Sequence, residues 1–369
     1  MTTDLLHRQV SPGRSTGVAL SPAEFVLTET PQPGEPVADV FHRLATRLED
    51  TDATLLSLMI YGSIDAHPLV EQALRAALGE TQWPVTWIEG GSCEGEVLAG
   101  VQAFAISHHS VVRIRADDVV VGSVYQDGDA RYCLLGGIGP ASLGSVAAQE
   151  QETLARLQGA LCSAGMELGD VVRTWFYNED ILAWYGEFNR VRSAHYAGVR
   201  WRTGSLPAST GIGARNRSGA ALVLAAWAMQ PLNASGSARE IASPLQCPAP
   251  AYGSSFSRAM EIRSGDWRRM LISGTASICP DGLTAWKGNA RKQVELTMDV
   301  VAAILDSRGL SFRDVTRATA YFENPKFRRC FEVCCAARNL GAMPFVLVHA
   351  DVCRSDLLFE LELDACGPA

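Results

Sequence analysis

Apolar positions along the chain follow two rhythms that recur in the same order. Nearly continuous apolar runs, Tyr132-Cys-Leu-Leu-Gly-Gly and Met270-Leu-Ile-Ser-Gly-Thr, read as strands. Each is followed by apolar side chains at helical spacing: Leu154, Leu157 and Leu161 in one case, Met298, Val301 and Leu305 in the other. Both helices close on a glycine, Gly165 or Gly309, which predicts a left-handed cap. A β-rich run comes next (residues 171–177 and 315–322), then a second helix, a strand led by Pro207 or Pro344, and a final strand. Strands interleaved with two long helices predict an α+β unit with both helices on one face of a sheet.

The two units are copies. Residues 149–179 lie without gaps on residues 293–323, so that Gln149 meets Gln293, Gly165 meets Gly309, Arg173 meets Arg317 and Tyr177 meets Tyr321. A repeated supersecondary unit sets the architecture, and what differs between copies is a candidate for function. A third, degenerate copy is read near the N-terminus. Residues 52–64, a helix over 68–78, residues 84–87 and 97–106 follow the order of a repeat's second half, with the first half lost or rebuilt in residues 20–50. The expected modules are therefore 20–110, 111–230 and 251–369, with a Pro/Ser/Ala-rich linker over 231–250.

Composition narrows the partners. A formal charge of -8 argues against nucleic acid, whose phosphates want a basic face. Residues 1–17 contain no apolar core of a signal peptide and no apolar run is long enough to span a bilayer, so a cytoplasmic protein with no membrane partner is expected. The 10 cysteines then read as buried thiols rather than a disulfide framework. Cys330, Cys334 and Cys335 have helical spacing but no matching Cys/His pair, and the histidines form no HExxH pattern, so neither metal nor cofactor is expected.

The motifs RTWFY (173–177), FNRVR (188–192), PASTGIG (207–213), YGSSFSRA (252–259), SGTASI (273–278) and DVCRSDLLFELE (351–362) resemble, in their order and spacing, the RidA family of small trimeric enamine/imine deaminases. Three linked copies are similar to the chorismatase branch of that superfamily. The resemblance implies RidA-like (chorismate-mutase-like) modules forming a pseudo-trimer, an enzyme that needs no partner subunit, and chorismate as substrate. RidA deaminases carry an arginine two residues after the proline of the penultimate strand. Here those positions are Thr86, Ser209 and Val346, which disfavours ordinary deaminase chemistry.

Cleaving chorismate begins with protonation of its enolpyruvyl methylene carbon, which needs an acid still protonated near neutral pH; desolvation can supply that. Glu360 matches the first Glu of the Glu-x-Glu that lines the RidA pocket. Matching Arg217-Ser218 to Arg354-Ser355 puts Val223 opposite Glu360 and Ala225 opposite Glu362, so the acid exists in one copy. Alternation alone gives a blander reading: Leu357, Phe359, Leu361 and Leu363 face a core, while Glu360, Glu362 and Asp364 face water. The resemblance favours catalysis for Glu360; Glu362 is read as solvated.

In chorismatases the product follows a small residue in the SGT turn and the residue seven before the acid. These are Gly274 and Cys353, a pair resembling the branch that makes 3-hydroxybenzoate rather than the hydrolytic branch that makes a dihydrodiol. A tight turn and a small buried hydrophobe are the plain alternatives. Arg192, Arg202 and Arg258 are candidates to hold the carboxylates, with Tyr252, Ser209 and Thr210 as further substrate contacts. Arg173, recurring as Arg317, reads as structural. A RidA-like binding protein that uses the cleft without turnover stays open as the other class.

Overall fold

In the computed structural model, which describes residues 15–21, 23–341 and 343–369, the chain forms three sheets. The sequence expectation for the N-terminal segment falls largely on residues 1–14, outside the described residues. The N-terminal module runs β1 (Ser15–Ala19), β2 (Glu24–Glu29), α1 (Val37–Asp50), β3 (Ala53–Gly62), α2 (His67–Leu78), β4 (Val85–Glu89), β5 (Gly91–Ser92) and β6 (Leu98–Ser107). The central module runs β7 (Val112–Ala116), β8 (Val119–Gln126), β9 (Ala130–Ile138), α3 (Val146–Ser163), β10 (Val171–Asn178), α4 (Ile181–Tyr196), β11 (Ala208–Gly213) and β12 (Leu222–Pro231). The C-terminal module runs β13 (Ser237–Ile241), β14 (Ala259–Ser264), β15 (Trp267–Ala276), α5 (Ala290–Asp306), β16 (Val315–Phe322), α6 (Arg328–Ala337), β17 (Phe345–His349) and β18 (Phe359–Pro368).

Two boundaries differ from expectation. The N-terminal copy keeps its first half, since β1, β2 and α1 are in place and Val40, Phe41 and Leu44 of α1 bury against the sheet. Its sequence has drifted while its apolar periodicity has not. The stretch 231–250 is also more than a linker: β13 lies within it and pairs antiparallel with β14 as the edge of the third sheet.

The glycine caps form as read. Gly165 and Gly309 take φ of +67° and +64°, and the amide after each reaches back to Leu161 or Leu305 at 2.9 and 3.0 Å. In each module the strand that follows the second helix runs parallel to the strand before it, and the last strand closes antiparallel on its other side.

Each sheet is covered twice. Its outer face packs on its own two helices, as with Leu154, Leu157 and Phe188 in the central module and Met298, Leu305 and Phe331 in the C-terminal one. Its inner face joins a shared core built from all three sheets, where Tyr61, Tyr177 and Tyr321 are fully buried together with Trp175, Trp227 and Phe104. The modules thus form a pseudo-trimer whose central strands, such as β6, β10 and β16, are buried on both faces.

Candidate active site

Pairing between β15 and β18 breaks at one place, between Ile272 and Thr275. The bulge leaves Ser273 and Gly274 without partners on β18 and brings them against the central module. There the Ser209 N–H donates to Ser273 Oγ (2.8 Å) and the Gly274 N–H donates to Thr210 Oγ1 (3.0 Å). A cleft opens beside this seam, walled by α4 and β11 of one module and by β15, β18 and the 252–258 segment of the next.

β18 carries Glu360 to the cleft wall, where it is 4% exposed. Gly274 makes room for it: a Cβ at position 274 would lie 2.0 Å from Glu360 Oε1. Burial pushes the Glu360 carboxyl up to about 8, the nearby Glu362 charge adds to this, and Arg173 and Arg258 pull the other way. No hydrogen bond from a described residue enters that balance. The group is therefore a protonated acid at neutral pH, with its donor unclaimed by the protein.

Three arginines share the cleft. Arg192 is buried over the Phe188 ring (4.6 Å) and donates to Asn189 Oδ1 (2.7 Å). Arg258 donates through Nε and Nη2 to the Cys247 carbonyl (3.1 and 3.0 Å), and Arg354 donates to the Gly282 carbonyl (2.9 Å). The Tyr252 ring lies 5.3 Å from the Arg258 guanidinium and 5.2 Å from that of Arg354. Cys353 lines the same cleft; burial and Glu360 push its thiol up to about 12, so it stays neutral. With Glu360 protonated, the cleft presents net positive charge to a ligand, and paired guanidiniums suit carboxylates.

The structure thus brings together Glu360, Gly274, Cys353, Arg192, Arg258, Tyr252 and Ser209. It does not bring in Arg202, which is half exposed and pairs with Asp170 (2.5 Å) and Glu167 (3.5 Å), bracing the turn before β10. Thr210 is also not a cleft residue. Its hydroxyl donates to Glu362 (2.6 Å) and accepts from Arg173 (2.6 Å) and the Gly274 amide, so its capacity is used up.

Strand register explains the Thr210 error. Trp175 pairs with Thr210, Met59 with Thr86 and Thr319 with Val346, so the central counterpart of Thr86 and Val346 is Thr210, one residue beyond Ser209. No arginine stands at any of the three. Thr86 repeats the Thr210 bond, accepting from the Gly137 amide at 3.0 Å, which marks a structural device.

Glu362 is the largest correction. It is fully buried, accepting from Arg173 (2.5 Å), Trp175 (2.8 Å), Thr210, Arg317 (3.3 Å) and Tyr321 (3.2 Å). Burial works to raise its carboxyl, but Arg317, Arg173 and the Thr210 bond outweigh that and hold it below the ordinary Glu value. Its ionised charge beside Glu360 helps keep the latter protonated. Arg173 and Arg317 are buried partners of this anion, in keeping with a structural role.

Sequence reasoning missed Arg354, Tyr185 and Phe188 as cleft residues. Arg354 was hidden by its own repetition as Arg217, which is an exposed surface residue in the central copy. Among the described residues no group of three or more His, Cys, Asp or Glu side chains is arranged to hold a metal ion, and no helix is long and apolar enough to cross a membrane.

The chain is 29% identical over 215 residues to a 3-hydroxybenzoate synthase of Streptomyces hygroscopicus, covering 53% of this chain and 60% of that protein. It is 28% identical over 217 residues to a chorismatase of the same organism, covering 52% of this chain and 60% of the relative. The matched stretch therefore spans less than two thirds of either relative. A crystal structure of a chorismatase superimposes with a TM-score of 0.65 at 20% identity, over 93% of this chain and 99% of that one. No family model matches. The chain has the fold of a chorismatase, and its sequence resemblance to chorismatases stands.

Proposed function

We propose that the cleft converts chorismate to 3-hydroxybenzoate and pyruvate without a cofactor, with Glu360 as the acid. The observation that carries this reading is a single buried carboxyl, held at about 8, facing a cleft with three arginines. Chorismate is a dicarboxylate enol ether. Arg192, Arg258 and Arg354 supply the charge its carboxylates need, and Glu360 supplies the proton its methylene carbon takes.

Protonation turns the enol ether into an oxocarbenium ion and leaves Glu360 as a carboxylate. Pyruvate leaves as the C4 hydroxyl oxygen closes onto C3 and the C3–O ether bond breaks; the resulting epoxide opens at C4 and loss of the C3 proton aromatises the ring to the 3-hydroxy product, so no water is consumed overall. The ring proton released on aromatisation restores the acid. If water instead attacks the oxocarbenium carbon, the products are pyruvate and a dihydrodiol. Gly274 with Cys353 matches the hydroxybenzoate pattern among chorismatases, and the names of two relatives agree with chorismate chemistry. Because the three modules are covalently linked, a monomer completes the site, and the product suits an aromatic starter unit for secondary metabolism.

The test is incubation of purified protein with chorismate in chelator, following pyruvate release and identifying the ring product by chromatography. Equal amounts of pyruvate and 3-hydroxybenzoate are expected. A dihydrodiol would keep the chorismatase reading and overturn the product; folded protein that releases no pyruvate would sink both.

A further inference from the structure

Behind the cleft, between the two helices of the central module, sits a carboxyl that the proposed reaction does not use. Glu150 of α3 is fully buried, and neither of its oxygens has a hydrogen-bond partner. α4 packs on α3 and contributes Arg192 and Tyr196, whose Nε and hydroxyl also lack hydrogen-bond partners. Arg192 is at once a wall of the cleft and the leading cationic influence on Glu150.

The repeat shows that the fold does not need this acid. The preceding residue does the same work in both copies: Gln149 Oε1 accepts the Ala221 amide and Gln293 Oε1 accepts the Leu358 amide, each at 2.8 Å. One residue on, Glu150 meets Val294, a fully buried core residue of α5. α6 buries Phe331, Cys334 and Cys335, while α1 and α2 bury only apolar side chains. Among the described helices, a buried acid and a buried arginine therefore occur together in one module, the one whose second helix walls the cleft. A carboxyl without partners at a core position costs stability, and the copy with valine there dispenses with it.

We propose that Glu150 is a positioning residue that sets how much of the Arg192 charge an anionic ligand meets. Protonated, it leaves the full cation to the cleft; ionised, it neutralises that cation from behind and weakens anion binding. The proposal rests on the reading of the cleft as a site for the dicarboxylate chorismate. The charged and titratable groups around Glu150 are Arg192, Arg190, Glu187 and Tyr196, all of α4. Burial raises its carboxyl to about 8 against the pull of Arg192 and Arg190, which puts the change on the alkaline side of neutrality. Glu360 titrates in the same range and must be silenced in any test.

The experiment is calorimetric chorismate binding to the Glu360→Gln protein from about pH 6.5 to about pH 9.5, where neither turnover nor Glu360 ionisation contributes. Affinity is expected to fall ~10-fold across that range, a usual size for coupling between two sites. The same protein with Glu150→Gln or Glu150→Val added is expected to hold its lower-pH affinity throughout. An identical fall with and without Glu150 would overturn the inference while leaving the cleft's function intact. No chorismate binding at any pH would instead overturn the functional reading and this inference with it.

Discussion

The seam between the N-terminal and central modules and the seam between the central and C-terminal modules use the same joint for different ends. In both, a threonine of the strand after the second helix accepts the amide of a bulged glycine from the next module, Thr86 from Gly137 and Thr210 from Gly274, each at 3.0 Å. Gly137 is needed for its backbone: its φ is +65°, and a Cβ would lie 2.5 Å from the Val85 carbonyl oxygen. Gly274 lies outside the left-handed region, and what its missing side chain admits is the Glu360 carboxyl. Register completes the contrast. Tyr177 faces Val223 and Tyr61 faces Gly100, where Tyr321 faces Glu360. Of the three related positions, one carries an acid and the others carry Val223 and Gly100.

The sharpest way to break this contrast is to remove the acid and its counterpart in turn. Glu360→Gln is expected to lower pyruvate release by ~10²–10⁴-fold, the range of general acid catalysis, with the circular dichroism spectrum unchanged. Val223→Ala is expected to leave the rate as it is. Equal losses from both would mean that the two seams do not differ in function.

A smaller effect separates the two glycines. Gly274→Ala displaces the Glu360 carboxyl and is expected to cost ~100-fold in turnover, as misplacement of about an ångström can, with little change in melting temperature. Gly137→Ala is expected to do the reverse, destabilising by ~1–3 kcal/mol through backbone strain while the folded fraction keeps its activity. Activity loss from Gly137→Ala in folded protein would remove the distinction.

These contrasts also show how far the sequence could be read. The repeat and its helix caps were legible because they rest on local periodicity and on a constant shift between copies; Glu360 was singled out by the family resemblance, against an alternation that placed it toward water. Glu362 was not. Alternation in β18 separates two faces, but it cannot say that the second face is covered too, and only the shared inner core shows that Glu362 meets Arg173 and Arg317 rather than water. Ser209 and Thr210 could not be told apart by counting from Pro207, because register is set by pairing with β10. Arg202 carried no local mark of its partner Asp170, which lies 32 residues earlier in the chain. The first half of the N-terminal module was read as lost or rebuilt in residues 20–50 because its helix keeps apolar spacing without the motifs of the other copies.

The central claim is that the environment of one seam keeps Glu360 protonated. A carboxyl raised in the folded state retains a proton that the unfolded chain gives up near 4.5, so its stabilising contribution is full below that value and is lost as pH rises through about 8. Turnover that needs the protonated acid should follow, level below about 8 and falling tenfold per pH unit above it. The most direct measurement is carbon-13 NMR titration of carboxyl-labelled glutamate in the free protein, with the Glu360 signal assigned by its absence from Glu360→Gln. The account predicts a midpoint near 8; a midpoint at the ordinary Glu value of 4.5 would contradict it.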